Sequence, residues 1–105
     1  MTVRYAIKYL PASFNDYADI IEYLSGYYES TVEQFKKELK EKIESLSSMP
    51  KRFEVFHDDP YFRKLTIQDY LVFYHIDEDN KTVNIHRILH GSRNVKSFLA
   101  ERKPG

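Results

Sequence analysis

The sequence predicts an α+β fold in which a helical hairpin packs on an antiparallel β-sheet. The predicted order is β-α-α-β-β-β with a short C-terminal helix. Two patterns lead to it: apolar residues recur every three or four positions over residues 14–46, and apolar stretches of strand length follow over residues 62–90. The first pattern is typical of amphipathic helices and the second of strands. Because the helices precede a run of strands, the order favours α+β.

The N-terminal residues are predicted to form a strand and then the first helix. Residues 3–10 alternate between apolar and polar side chains, and Pro11 ends this strand. We expect Ser13 to be the helix N-cap, since Asp16 follows it at capping-box spacing. The apolar face of this helix is predicted to consist of Phe14, Tyr17, Ile21, Leu24 and Tyr28.

A second helix is predicted to begin near Ser30 and to end before Pro50. Ser30 and Glu33 repeat the capping-box spacing. Two helices of this length with a short connection are expected to pack as an antiparallel hairpin. The second helix is expected to bury Val32, Phe35, Leu39, Ile43 and Leu46.

Three short strands are predicted after a loop, over residues 62–67, 70–76 and 82–90. A tight connection joins the first two, and residues 77–81 (DEDNK) form a polar hairpin loop. Gly91 ends the last strand, and residues 95–101 are expected to form a final helical turn. The first strand is expected to pair within the same sheet.

Several polar residues stand out on the last strand. Arg87 is expected to share a face with Ile85 and Leu89, and to anchor the helical hairpin through a carboxylate. His86 and His90 are four residues apart, so a regular strand would direct them to the same face. This pair allows either hydrogen-bonded structural histidines or an acid–base pair. No third ligand stands at usable spacing, so no metal is expected.

Composition and charge exclude several classes of protein. The absence of cysteine excludes disulfides and thiolate metal sites, and no cofactor is predicted. No apolar run has the length of a membrane span, so a cytoplasmic protein with no membrane contact is expected. The 105 residues suffice for one domain, residues 1–105. The chain has zero formal net charge, which disfavours general nucleic-acid binding.

Charge is nevertheless unevenly distributed along the chain. Residues 53–80 hold seven acidic and two basic groups, whereas residues 81–105 hold one acidic and six basic groups. The basic C-terminal end leaves one electropositive region, although a solvated tail is the favoured interpretation.

Two segments follow a family pattern. Residues 69–77 read DYLVFYHID, and residues 83–94 read VNIHRILHGSRN, which ends like R-[IV]-L-H-G-x-R-[DN]. Residues 5–12 also show Y-x-x-x-Y-L-P-A, followed by DYADI at residues 16–20. The chain thereby resembles the RelE/ParE superfamily, the toxins of type II toxin–antitoxin systems. The likeness covers nearly the whole chain, and the C-terminal motif is its most specific part.

One branch of this superfamily, the RelE-like toxins, cuts messenger RNA on the ribosome. The resemblance implies basic residues and a tyrosine around the scissile phosphate, but this chain carries only part of that set. Arg93 matches the arginine after the final strand, whereas Tyr70 stands where another arginine is usual. Phe98 or Leu99 stands near the catalytic tyrosine. A RelE-like activity would therefore depend on Arg93, His90 and Lys64; the family match of Lys64, and that of Arg63 as another source of charge, is loose.

The other branch, the ParE-like toxins, inhibits DNA gyrase by binding it, and this branch is favoured. The incomplete nuclease set, the L-H-x-S-x-N ending at residues 89–94 and the neutral charge favour it. Arg93 is the leading candidate for contact with the target, because a loop cation is free to reach a ligand. Target contacts are expected from Arg93, Asn94, Lys96, Arg87 and Tyr70.

Alternative interpretations remain for individual residues and for the whole chain. Tyr70 and Tyr74 share a strand face, where they either stack on bases or pack under the helices, and core packing is favoured. A third functional alternative is an inactive family member that acts only as a binding module.

The resemblance also implies a cognate antitoxin as partner. An open sheet edge can accept a strand, and a groove beside a helix can accept an amphipathic helix. Both a homodimer and a toxin–antitoxin hetero-oligomer are compatible with the sequence.

Overall fold

A computed structural model describes residues 3–102, except for the side chains of Ser92, Arg93 and Arg102. These residues form β1 (Ala6–Tyr9), α1 (Pro11–Leu24), α2 (Glu29–Ser45), β2 (Arg63–Ile67), β3 (Tyr70–Asp77), β4 (Thr82–His90) and α3 (Gly91–Arg102). The predicted element order and α+β class are confirmed. The final helix begins at Gly91, four residues earlier than predicted. No helix in this part of the chain is both long and apolar enough to cross a membrane.

The four strands form one sheet in the order β1-β4-β3-β2. The pairs β2–β3 and β3–β4 are antiparallel, as predicted. β1, however, pairs with β4 in parallel, with Ala6 opposite Thr82 and Tyr9 opposite Ile85. The prediction of a wholly antiparallel sheet is therefore wrong at this edge. Parallel pairing is possible here because the long stretch between β1 and β4 reverses direction several times.

Neither predicted serine cap is present. α1 begins at Pro11 after the extended residue Leu10, and no side-chain hydrogen bond caps it. Proline suits the first helical position because its ring fixes φ and it has no N–H to satisfy. Ser13 lies one turn inside, where its hydroxyl donates to the Leu10 carbonyl at 2.7 Å. α2 likewise begins at Glu29, with Tyr28 rather than Ser30 at the cap position.

The two hairpin helices differ in how well their buried faces were predicted. All five predicted residues of the α2 stripe are buried, which confirms that face. On α1 the buried residues are Ser13, Ile20 and Leu24, whereas Phe14 is 64% exposed. Tyr28 lies beyond α1, at the cap position of α2, and is 77% exposed. The predicted α1 face is therefore partly wrong, because the helix turns a small serine and a carboxylate toward the sheet.

Two apolar layers lie on opposite sides of the sheet. The first lies under the hairpin and includes Phe35 and Leu39 of α2 together with Val72 and Tyr74 of β3. The second lies under α3; its buried residues are Phe56, Phe62, Phe73, Leu89, Val95 and Phe98. Complete burial of one such aromatic or aliphatic side chain contributes about 1.5–3 kcal/mol. Helices thus cover both faces, while the sequence predicted helical cover on one.

A β-bulge at His86 changes which side chains share a face. Phe73 pairs with Arg87 and Tyr74 with Ile85, so His86 is an extra residue on β4. An inserted residue shifts the in–out alternation by one. Ile85 therefore packs under the hairpin, while Arg87 and Leu89 lie on the α3 side, contrary to the prediction.

The same bulge separates the two histidines. The His86 ring lies 4.9 Å from the Phe62 ring on the α3 side, whereas the His90 ring lies 5.0 Å from the Tyr70 ring on the hairpin side. The prediction that they share a face is therefore wrong.

Candidate functional site

The candidate site lies where β4 ends between α1 and α3. A cavity of about 270 Å³ opens there. Two of the residues expected to contact a target, Arg87 and Asn94, line it with the candidate catalytic residue His90 and with carboxylates from α1 and α3. The end of the family-like motif therefore lies at the rim of the sheet.

Arg87 is held by Asp16 of α1. The Arg87 Nε donates to Asp16 Oδ2 at 2.7 Å, and Nη2 donates to Oδ1 at 3.0 Å. Asp16 Oδ2 also accepts the Ile88 backbone N–H at 3.0 Å. The hydrogen bond to Asp16 is the main cause that raises the pKa of Arg87. The prediction that Arg87 anchors the hairpin through a carboxylate is confirmed.

This contact also completes the sheet edge. β1 pairs with β4 only as far as Ile85, so the N–H of Ile88 has no strand partner on that side. Asp16 replaces the missing strand at this point. The Arg87 guanidinium further approaches Glu101 at 4.0 Å and the Phe98 ring at 5.8 Å. Arg87 therefore connects α1, β4 and α3.

His90 and Asn94 form the turn from β4 into α3. The Asn94 Nδ2 donates to the His90 carbonyl at 2.8 Å, and both side chains are exposed. Between them Gly91 has φ +74°, a left-handed conformation that favours glycine. Arg93 has its backbone in the first turn of α3 rather than on a loop as expected, and its side chain lies outside the described residues. Lys96 is exposed on the same helix.

The two strand tyrosines have structural partners. Tyr74 is fully buried and its hydroxyl donates to the Pro50 carbonyl at 2.9 Å, and burial raises its pKa to about 12. Tyr70 is 6% exposed and its ring lies 5.1 Å from the Phe35 ring. Core packing therefore accounts for both residues, and little of the Tyr70 side chain is exposed to a target.

Lys64 lies away from the end of β4. It is on β2 opposite Phe73, where its Nζ lies 3.6 Å from a Glu54 carboxylate oxygen and 5.6 Å from the centre of the Phe56 ring. Lys64 thus belongs to the α3 side of the sheet, whereas the His90 ring is on the hairpin side. The structure does not bring these two proposed catalytic residues together.

Among the described residues, the cavity at the end of β4 is lined by more acidic than basic side chains. Asp16, Asp19 and Glu101 contribute three carboxylates against one guanidinium from Arg87. The positive charge of Arg87 is already paired with Asp16. Among the described residues, no group of three histidine, aspartate or glutamate side chains is placed to hold a metal ion.

Sequence reasoning missed two residues that line this cavity and an aromatic pair elsewhere on the sheet. Asp16 and Asp19 both line the cavity, and their three-residue spacing on one helix was the available signal, but Asp16 was interpreted as part of a capping box. The stacked rings of Tyr61 and His75, 4.0 Å apart with 2° between their planes, were also missed. Their contact joins distant segments, which local patterns do not reveal.

Comparison with known proteins identifies a family whose model matches most of this sequence. The model of the "ParE toxin of type II toxin-antitoxin system, parDE" matches residues 7–95. A search of curated proteins returned no match.

Solved structures show the same fold at low sequence identity. The chromosomal ParDE system of P. aeruginosa is similar with a TM-score of 0.70 and 14% identity, covering 83% of this chain and 96% of that one. A mutant E. coli RelE toxin in the free state has a TM-score of 0.65 and 16% identity, covering 96% and 99%. The RelBE2 toxin–antitoxin complex of Mycobacterium tuberculosis has a TM-score of 0.62 and 17% identity, covering 88% and 97%. Since the family model spans most of the sequence, the chain belongs to the ParE toxin family of type II toxin–antitoxin systems.

Proposed function

We propose that this toxin arrests growth by binding DNA gyrase and not by cutting RNA. The observation that carries the proposal is the charge of the cavity at the end of β4. Three carboxylates line it, and its described cation, Arg87, is paired with Asp16. Such a surface repels phosphate and suits contact with another protein.

Cleavage of a phosphodiester needs cations or proton donors directed at the developing negative charge. Among the described residues, the candidate groups are either paired with carboxylates or far from one another. Arg87 uses Nε and Nη2 on Asp16, and Lys64 lies across the sheet beside Glu54. Phe98, near the position of the RelE-like tyrosine, is buried and has no hydroxyl.

We propose a cognate antitoxin as the second partner. Solved relatives include the RelBE2 complex and the E. coli RelBE complex, each described as a toxin with its antitoxin. On this chain an apolar groove of about 400 Å³ runs between β1, α1 and α2. Its walls include Phe14 and Leu39, and Lys36 and Lys40 supply positive charge beside them. An amphipathic helix with acidic residues fits this groove.

A supercoiling assay with purified proteins tests the gyrase proposal. The toxin is titrated into DNA gyrase, relaxed plasmid and ATP, and the supercoiled product is measured. We expect inhibition that saturates with toxin and is absent with heat-denatured toxin. Unaffected gyrase at large toxin excess contradicts the proposal.

The RelE-like alternative needs its own test because a RelE toxin shares the fold. Toxin added to a translation reaction is followed by mapping of messenger RNA 5′ ends. The proposal predicts intact transcripts, whereas codon-linked cuts support the endonuclease. The remaining alternative, an inactive binding module, predicts no growth defect when the toxin is expressed without an antitoxin.

A further inference from the structure

Three exposed tyrosines form the tip of the helical hairpin. Tyr23, Tyr27 and Tyr28, which we call the tyrosine tip, are 62%, 59% and 77% exposed. The hydroxyls of Tyr23 and Tyr27 are hydrogen-bonded at 2.9 Å, and their rings meet edge to face at 5.5 Å. This contact holds two rings in fixed positions before any partner binds. Rigid, exposed tyrosines are the side chains that anchor protein–protein contacts at low entropic cost.

A groove extends from the tyrosine tip toward the end of β4. It has a volume of about 330 Å³ and is lined by Asp19, Ile20, Tyr23, Tyr70 and His90. Three of these five residues are aromatic, and Asp19 is the charged residue among them. Tyr70 contributes little exposed surface, because its ring is packed against Phe35. The groove therefore offers aromatic walls and one carboxylate to a ligand.

The charge around the tip has one sign. Residues 11–34 contain five acidic residues and no lysine or arginine. Asp16 is paired with Arg87, but no hydrogen bond or ion pair joins the carboxylates of Asp19, Glu22 or Glu29 to another described residue. These three carboxylates flank the exposed tyrosines on α1 and at the start of α2. Their charge is uncompensated by the described part of the chain.

We propose that the tyrosine tip and its groove bind a basic segment of the protein that this toxin inhibits. An arginine or lysine of that segment lies against the faces of the exposed tyrosines and pairs with Asp19. A cation gains attraction from both the aromatic ring and the carboxylate, and arginine and tyrosine commonly pair at such contacts. The identity of the segment's parent protein rests on the proposed function; the chemistry of the surface does not.

Other partners fit this surface less well. Nucleic acid and anionic lipid carry negative charge, which the three free carboxylates repel. An acidic antitoxin helix is better matched by the groove that Lys36 and Lys40 border on the other side of the hairpin. Charge complementarity therefore selects a basic polypeptide.

Matched variants in the supercoiling assay test the surface. One variant combines Tyr23→Ala with Tyr27→Ala, and a second combines Asp19→Asn with Glu22→Gln and Glu29→Gln. The control combines Met49→Ala with Glu41→Gln, which alters an exposed apolar residue and an exposed carboxylate away from the tyrosine tip and from both grooves. We expect about a tenfold or greater loss of inhibition in both tip variants. The control should inhibit like the wild type, and thermal melting should show that all three variants are folded.

A peptide probe tests the surface without gyrase. Isotope-labelled toxin is titrated with an eight-residue peptide of alternating arginine and glycine, and with a peptide in which glutamate replaces arginine. We expect amide shifts over residues 19–29 and at His90 with the arginine peptide only. The shifts should weaken with added salt and should be lost in the triple carboxylate variant.

The two assays separate the surface from the proposed function. If the tip variants inhibit gyrase as strongly as the wild type, the proposed surface is wrong while the gyrase proposal stands. If the wild-type toxin leaves gyrase unaffected but the arginine peptide binds at the tip, the gyrase proposal fails and the surface stands. Equal binding of both peptides, no binding, or shifts confined to another face overturn the surface proposal.

Discussion

The guanidinium of Arg87 donates two hydrogen bonds, of 2.7 and 3.0 Å, to the carboxylate of Asp16, 71 residues earlier in the chain. The two side chains are only 26% and 14% exposed, so water screens the pair little. The contact joins the first helix to the last strand. It also removes Arg87 from the charges available to a ligand, which is one basis for the proposed function.

We expect Asp16→Ala to lower the free energy of unfolding by about 2–4 kcal/mol, because it leaves a partly buried guanidinium and the Ile88 N–H without their acceptor. Arg87→Lys should lower the free energy of unfolding by a smaller but measurable amount, since an ammonium cannot reproduce the bidentate contact. Urea unfolding of both variants gives these values. A change below about 0.5 kcal/mol for Asp16→Ala, the range of an ordinary surface substitution, contradicts this role.

Tyr74 makes stability depend on alkaline pH. Burial raises its pKa from 10.0 to about 12, so the folded state disfavours the ionised form. Its contribution is complete below pH 10 and is lost as the pH rises from there toward 12. A rise of the pKa from 10.0 to about 12 corresponds to about 3 kcal/mol.

The variant Tyr74→Phe isolates that contribution from the other tyrosines. We expect the wild type to lose stability more steeply than Tyr74→Phe between pH 9 and about 11.5 in urea unfolding. Parallel curves for the two proteins show that the hydroxyl is not buried as described.

Gly91 permits the turn from β4 into α3. Its φ of +74° disfavours side chains, although open space surrounds its α-carbon. Gly91→Ala should therefore destabilise the chain by about 1–2 kcal/mol through backbone strain alone, and Gly91→Asn by less. Gly26→Ala is the matched control, because that position has no positive φ and meets the Tyr23 carbonyl only at 3.4 Å. Equal effects at the two glycines in thermal melting contradict the assignment.

Phe98 fixes α3 on the sheet. It is 7% exposed and its ring lies 5.2 Å from that of Phe62 and 5.3 Å from that of Phe73. Phe98→Ala should cost about 3 kcal/mol and should increase amide hydrogen exchange throughout α3. Ser97→Ala, at an exposed neighbouring position, should leave exchange unchanged. Fast exchange in α3 of the wild type is the result that argues against stable packing.

The sequence predicted the helices and strands better than it predicted which face of each is buried. The α2 stripe is confirmed because its apolar residues follow the helical period without interruption. The predicted stripe of α1 included Phe14 and Tyr28, but both are exposed and Tyr28 lies beyond the helix, while Ser13 is buried. Local periodicity could not show this, because the orientation of α1 depends on the pairing of Asp16 with Arg87 far along the chain.

The candidate site was only partly predicted, because contacts between distant segments also determine its geometry. The motif after β4 correctly pointed to His90 and Asn94 at the rim, and the anchoring role of Arg87 was predicted. The insertion of His86 as an extra residue on β4 was not predicted. It places His86 and His90 on opposite faces of the sheet. The bulge and the parallel pairing of β1 are set by contacts between strands, which a single strand's pattern does not reveal.

We propose that the toxin acts on a protein and leaves RNA intact. The most direct test of this proposal is brief induction of the toxin without an antitoxin, followed in one culture by the linking number of a reporter plasmid and by mapped transcript 5′ ends. We expect loss of negative supercoiling as growth stops, with transcripts uncut. Codon-linked transcript cuts with normal supercoiling contradict it.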